Sequence, residues 1–488
     1  MADNLKQKTI TALSWSFIEA LGTRSVQFVV GIILARLLFP EQFGLIGMLT
    51  IFIEVMRVFL DSGFGSALIQ KKNATSTDIN SIFYFNIFVG IAAVGLSFLI
   101  APWIAAFYNQ PILTPLTKAL SLTILINSFG AIQMNMLTKH INFKVQTKVS
   151  LVAGLLSGII GITLAISGFG VWSLVVQQVS SSFFQTASYW FFSSWRPALL
   201  FSFQSLKEMF GFGSRLLVTN LMNRFFDNIY LLVIGKLFSA TSLGYFTRAS
   251  TLQGLPTQTL SEMVARVTFP VFSTIQDDPA RLKRGLKKAL TVLAMVNFPM
   301  MIGMAAVARP LVLVILTDKW APCIPYFQLL CLAGLLVPLH RQNVNAVQAV
   351  GRTDLYFRVE IVKKMLTVMN IAVMWKYGIN ALFYGLIAFS FIAYYLNCYY
   401  TGVLINYPFK EQVRDLAPYM SMAVIMGSAV SAVGMLPLLN NWSLLLIQIT
   451  VGILIYVALC RVFRLTAFME VWQAIWKRMP LARAGTAE

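Results

Sequence analysis

The sequence predicts an all-α polytopic membrane protein of about 14 transmembrane helices, built as two six-helix lobes related by a parallel repeat plus two C-terminal helices. Three observations carry that prediction. Apolar windows long enough to cross about 30 Å of hydrocarbon as helices recur from end to end. Only 11% of the 488 residues are charged against 58% hydrophobic, too little polar surface for a soluble core of that size. The segment Leu34–Gly44 recurs at Ile234–Gly244. A closed barrel would need alternating segments of about ten residues, whereas runs such as Val149–Ile166 are apolar on every side.

The first expected span, 10–38, follows directly on MADNLKQKTITALSW, which has no small-residue cleavage site and so no evident removable signal. Spans at 42–69, 79–107, 113–138, 148–168 and 170–194 complete an N-terminal lobe, residues 1–194. Trp195–Lys207, WRPALLFSFQSLK, has the proline and the amphipathic spacing of a helix lying in the cytoplasmic interface, so an interfacial linker helix is expected over 195–208. A second lobe, 209–404, has spans at 209–238, 243–270, 287–313, 325–350, 356–377 and 379–404. Two further spans, 415–437 and 442–463, fall within 405–464, outside the twofold scheme, and are read as scaffold in preference to an accessory groove. A cytoplasmic tail, 465–488, ends the chain. Trp103, Trp172, Trp195, Trp320 and Trp442 sit near span ends and are expected to be interface anchors.

The net charge of +20 invites a nucleic-acid reading, but the positions of the 38 lysines and arginines answer it differently. With the N-terminus taken as cytoplasmic, 25 fall on cytoplasmic segments, Lys71, Lys139, Lys283, Arg284 and Lys288 among them, while 6 fall on outer ends and 7 inside spans. That is the positive-inside pattern with both termini cytoplasmic. The basic excess is a topology signal that also favours anionic membrane lipid, and no nucleic-acid partner is expected.

At an offset of 200 residues LARLLFPEQFG aligns with IGKLFSATSLG without a gap. Arg36 falls on Lys236, Leu37 on Leu237, Gly44 on Gly244 and, a helix earlier, Arg24 on Arg224. Six spans separate the copies, an even number, so both have one orientation and are related by an axis along the membrane normal, a transporter architecture.

Seven arginines lie within spans: Arg24, Arg57, Arg215, Arg224, Arg248, Arg266 and Arg341. Each costs about 2.5–3.5 kcal/mol at the bilayer centre on insertion scales, which argues for a polar cavity over lipid exposure. Acids accompany them at helical spacing: Glu54 and Asp61 beside Arg57, Asp227 beside Arg224 and Glu262 beside Arg266. Pairing that only holds helices together explains the acids as well as function does, whereas the arginines are read as functional. Arg24, Arg57, Arg224 and Arg248 are the expected lining of a cationic cavity, and the planar guanidinium fork suits the phosphate oxygens of a diphosphate. Asp61, Asp227 and Glu262 are the candidate carriers of a coupling proton or sodium ion; Arg215 and Arg341 are assigned to snorkelling. Cys323, Cys331, Cys398, Cys460, His140 and His340 have no ligand spacing, and neither a metal, nor another cofactor, nor a catalytic residue is expected.

The segments LARLLFPEQFGL, DSGFGSALIQKK, RPALLFSFQSLKEMFGFG, VTFPVFSTIQDDPARLKRGL, QLLCLAGL and AVGRTD, spread over most of the chain, resemble the polysaccharide transporters of the multidrug/oligosaccharidyl-lipid/polysaccharide exporter superfamily, in particular the colanic-acid exporter type. The resemblance implies two lobes forming a V, a cavity lined by the first two helices of each, and rocker-like alternating access. It further implies a polyprenyl-diphosphate-linked oligosaccharide flipped from the cytoplasmic to the periplasmic leaflet for surface polysaccharide, in a bacterial inner membrane beside polysaccharide polymerase and export machinery. A peptidoglycan-precursor flippase and a cation-coupled drug antiporter of the same superfamily are the nearest alternatives; the arginine excess argues against the second. A membrane polysaccharide polymerase would need a large outer loop, and the longest here, around Ala308–Phe327, offers no nucleophile with a base.

Overall fold

The computed structural model describes residues 22–435, apart from 62, 72 and 141, and residues 440–476. Every regular element among them is helical, as hydrocarbon demands of a chain that must pair its own backbone amides and carbonyls. The helices are α1 (22–37), α2 (Pro40–Asp61), α3 (Phe64–Gln70), α4 (Ser76–Tyr108), α5 (Leu113–Lys139), α6 (Phe143–Ile166), α7 (Val171–Phe192), α8 (Phe203–Asp227), α9 (Ile229–Leu237) and α10 (Ala240–Thr274). There follow α11 (Pro279–Ala306), α12 (Ala308–Ile315), α13 (Cys323–Gly334), α14 (Val337–Ala349), α15 (Thr353–Met374), α16 (Ile379–Ile405), α17 (Phe409–Val433), α18 (Asn441–Val462) and α19 (Thr466–Trp476).

Among the described residues, nine segments are long and apolar enough to cross a membrane, and they coincide with nine of the expected spans. The other five expected spans are also helical: α1 is described only from residue 22, α7 is rich in Ser and Gln, and α8, α10 and α15 carry charges. These more polar helices hold Arg24, Arg215, Arg224, Arg248 and Arg266, whereas Arg57 and Arg341 lie on apolar spans. Helix ends follow local chemistry. Thr75 and Asp78 form a reciprocal capping box at the start of α4 (2.9 and 3.2 Å), and Asn109 and Asn406 end α4 and α16 with positive φ.

By contacts the chain forms two compact units, residues 1–247 and 248–488. The division falls at Thr247 because α8 and α9 pack on α2 and α4. Within the first unit α1 runs parallel to α6, since Gly22 meets Leu151, Gly154 meets Val26 and Gly158 meets Val30. A cluster of Phe64, Leu68, Ile82, Phe83, Leu206 and Met209 closes one end of this unit.

The expected linker helix over 195–208 gives way to an extended strap. Residues 193–202 are not helical, and α8 starts only at Phe203. Pro197 disfavours helix at Arg196 and supplies no amide, while α4 takes up the amides that a helix would have used. Ala198 donates to Asn80 Oδ1 (2.7 Å) and Ser202 to Ser81 Oγ (2.8 Å), and Tyr84 donates to the Ala198 carbonyl (3.2 Å). The expected tail is also partly structured, as α19. Trp103 and Trp442 are exposed like anchors, but Trp320 is fully buried and is not one.

In the second unit α11 is the central post. The expected scaffold role of the last two spans has a physical basis in α17, which runs parallel to α11 and is tied to it by Lys283–Glu411 and Lys287–Asp415 (both 2.7 Å). Helix α19 is tied to α11 by Lys288–Glu470 (2.5 Å), and α18 donates Tyr456 to the Met295 carbonyl (2.9 Å). Buried Gln412 joins three helices. It accepts from Tyr394 (2.7 Å) and Asn343 (3.2 Å) and donates to Asn343 Oδ1 (3.0 Å), Thr401 Oγ1 (3.1 Å) and the Tyr407 carbonyl (3.1 Å). Gln412→Leu would strand these groups, and by the desolvation of unpaired polar atoms it is expected to cost about 2–4 kcal/mol. Thermal unfolding in detergent checks this; a melting temperature equal to wild type would refute the network's importance.

Candidate functional site

Helix α2 holds Glu54 and Arg57 in an otherwise apolar stretch, and the three-residue spacing puts both on one face. Arg57 Nη1 donates to Glu54 Oε1 at 2.9 Å, with the side chains 42% and 22% exposed. Arg57 Nε is buried and has no hydrogen-bond partner among the described residues. The guanidinium is thus held on one side and has donor capacity left.

Helices α8 and α9 run antiparallel beside α2. A Cβ on Gly63 would lie 2.4 Å from the Gly213 carbonyl oxygen, and one on Gly235 would lie 3.0 Å from Met48 Cγ. Interpolating between these contacts puts Arg224 level with the turn between Glu54 and Arg57, and Arg57 level with Met222, to within about one 5.4 Å helical turn. Arg224 is exposed, and the ion pairs among the described residues do not include it. The structure therefore brings Arg57, Glu54 and Arg224 to one depth on neighbouring helices.

The close approaches at the two ends of α2 bracket this group. At one end a Cβ on Gly44 would fall 1.7 Å from the Ala240 carbonyl oxygen, and a Cβ on Gly244 would fall 1.8 Å from the Pro40 carbonyl oxygen. The contact is reciprocal: the two sequence copies, 200 residues apart, press backbone on backbone. At the other end Gly63, with φ of 71°, meets Gly213; a side chain would be strained as well as crowded there. From Gly44 to Gly63 is about 28 Å at 1.5 Å per residue, close to a hydrocarbon thickness of about 30 Å. Glu54 and Arg57 lie between.

The other expected residues are more scattered. Arg24, half-buried, is two positions from both Gly22 and Val26, which pack on α6, so it lies on the opposite face of α1. Arg248, half-buried beside Cys323, belongs to the second unit, as do half-buried Glu262 and exposed Arg266 and Arg341. Asp227 is exposed at the last residue of α8. Asp61 ends α2, but its side chain, like that of Arg215, lies outside the described residues.

Sequence reasoning missed the glycine contacts, whose signals were the DSGFG and GFG strings and the alignment of Gly44 with Gly244. It also counted Lys363 as a loop charge, whereas it is ion-paired to Glu360 on α15, with side chains only 16% and 22% exposed. Lys71 ties three elements at the chain's basic end, reaching Asp78 (2.8 Å) and Glu208 (3.6 Å). The hydrogen bond to Asp78 holds its ammonium above the usual lysine range.

The family described as polysaccharide biosynthesis protein matches residues 33–325. The teichuronic acid biosynthesis protein TuaB of Bacillus subtilis is 30% identical over 313 residues, 63% of this chain and 64% of that protein, so the match spans just under two thirds of that relative. The lipopolysaccharide biosynthesis protein WzxC of Escherichia coli is 27% identical over 376 residues, 76% of each chain. The succinoglycan biosynthesis transport protein ExoT of Rhizobium meliloti is 28% identical over 341 residues, 69% of each. Among solved structures, the lipid II flippase MurJ in an inward closed conformation superposes with a TM-score of 0.76 at 16% identity, over 92% of this chain and 98% of that one, which establishes a shared fold.

The reciprocal contact makes a direct prediction. Gly44→Leu should force α2 from the start of α10 and expose Met48, now 2% accessible. A Met48→Cys reporter is expected to react at least fivefold faster with a membrane-impermeant maleimide in the Gly44→Leu background than without it, the four described native cysteines being buried. Equal rates would show that the contact is not a seal.

Proposed function

The chain belongs to the polysaccharide biosynthesis protein family, and on that premise we propose that it is a flippase carrying a polyprenyl-diphosphate-linked oligosaccharide from the cytoplasmic to the periplasmic leaflet of a bacterial inner membrane. One relative is named a transport protein, and the fold is that of a lipid flippase. The observation that carries the reading is the placing of Arg57, Glu54 and Arg224 between two glycine contacts about one hydrocarbon thickness apart. Two guanidiniums lie at this depth with Glu54 and, one turn from Arg224, Asp227, and the forks present planar donors that a phosphate anion can take up. The diphosphate has two oxygen faces for the two forks.

In this reading the Gly63–Gly213 contact parts to admit the diphosphate from the cytoplasmic leaflet, and the Gly44–Gly244 contact parts to release it outside. Arg24 on α1 adds positive charge in the same unit. The basic connection between α3 and α4, at Lys71 and Lys72, and the basic end of α11 are read as the cytoplasmic side by the positive-inside rule, giving cytoplasmic termini, and the repeat supplies the two rocking lobes. Asp61, Asp227 and Glu262 are the proposed coupling carboxylates, and Asp227→Asn should then lower the rate of proton- or sodium-driven cycling without changing equilibrium binding. The downstream partners are a polysaccharide polymerase and export machinery.

Cells lacking the protein should accumulate the lipid-linked sugar on the cytoplasmic leaflet, and restoring it should clear the accumulation. Arg24→Ala and Arg224→Ala, compared at matched abundance, should each clear it at least tenfold more slowly; removal of the exposed Arg224 side chain is expected to cost folding little, about 0–1 kcal/mol. A normal periplasmic supply of the intermediate in the deletion strain would refute the function. Normal clearance by the double variant would refute the site alone.

A further inference from the structure

The second unit has a groove that no step above uses. A cavity of about 770 Å³ lies among the ends of α11, α13, α16 and α17, within the size range of small-molecule sites, about 300–1,000 Å³. It exists because the facing turns carry small residues: Ala305 and Ala306 on α11, and Gly427, Ser428, Ser431 and Ala432 on α17. Gly427 also lets α17 sit on Ile302, whose Cγ2 lies 2.4 Å from where a Cβ would be.

Its place in the membrane follows from α11. The basic end of that helix, Arg281 to Lys288, is ion-paired to α17 and α19 through its lysines, and the groove begins at Ile302, about 20–30 Å further along at 1.5 Å per residue. By the positive-inside rule that is the outer leaflet. No lining residue is charged, so neither a phosphate nor an ion is selected.

The floor is aliphatic and the amides lie above it. α11 and α17 run outward here and α13 and α16 inward, which puts Gln328, Asn380 and Ser431 in the outer part, beside the apolar Pro325 and Met435, and Ile302, Leu332 and Val424 at the floor. Gln328 donates to the Ala305 carbonyl at 3.1 Å, and Asn380 is exposed. Amide donors above an aliphatic floor match ester carbonyls above a hydrocarbon chain, the order in which an outer-leaflet lipid presents them.

We propose that this groove is a binding site for one acyl chain and its ester linkage from an outer-leaflet phospholipid, seated between α11, α13, α16 and α17. The lipid wedges the outer ends of these helices apart and keeps them from collapsing on their small residues. The site is independent of the flippase reading, because its occupant is a bilayer lipid and not the cargo.

The test uses the full chain in nanodiscs of phosphatidylethanolamine and phosphatidylglycerol, doped either with a phospholipid bearing a diazirine on its acyl chain or with a diazirine polyprenyl phosphate. Light should attach the phospholipid probe to peptides spanning 324–335 and 420–435. Ser428→Leu and Ala432→Leu, both at exposed positions, should each cut that attachment about tenfold while labelling elsewhere stays constant. Unchanged labelling in both filled variants, or no labelling of these peptides in wild type, would overturn the proposal. Stronger labelling by the polyprenyl probe would overturn it too, and would assign the groove to the carrier lipid. The probe readout requires no transport, so a failure of the flippase reading leaves this test intact.

Discussion

The whole molecule answers to one constraint: in hydrocarbon no water pairs a backbone amide, a carbonyl or a charge. Backbone groups of the spans are therefore closed within helices, and several buried side-chain polar groups are closed against one another. Gln412 with Asn343, Thr401 and Tyr394 is the clearest case. The same constraint gives the arginines their meaning. A guanidinium in a span is tolerated where something polar receives it, and Arg57 with Glu54 shows how far the protein itself does so.

The second organising fact is duplication. Two copies of one segment meet at Gly44 and Gly244, each taking the other's carbonyl where a side chain would stand. Small residues let helix backbones approach closely, the usual means of packing helices where lipid removes the hydrophobic drive. The second unit is held differently, by lysine–carboxylate pairs at the basic end of α11 and by buried amides within. The last two spans are part of that framework.

Much of this was legible in the sequence because its causes are local. Span positions follow from runs of apolar residues, and the Glu54–Arg57 pair from a three-residue spacing. The strap at 193–202 was not legible, because its amides are taken up by Asn80 and Ser81, more than a hundred residues away, and amphipathic spacing alone reads as helix. Trp320 misled for a similar reason: near a span end a tryptophan reads as an anchor, and only tertiary packing shows it buried. Of the candidate site, residue types were readable and depth was not. Depth depends on the antiparallel register of α2 and α8, which the contact of Gly63 with Gly213 sets.

In residue type the repeat matches at one end only: Gly44 corresponds to Gly244, whereas at the 200-residue offset Gly63 corresponds to Met263 and Gly213 to Leu13. Two closures made of unlike surfaces have unlike opening free energies. In the proposed cycle the empty protein would then spend unequal time facing the two sides of the membrane, a resting preference written into the chain before any cargo or ion arrives. Such a preference leaves the equilibrium distribution of cargo between leaflets untouched, but it decides which leaflet an empty carrier samples more often, and therefore which half of its cycle limits the rate.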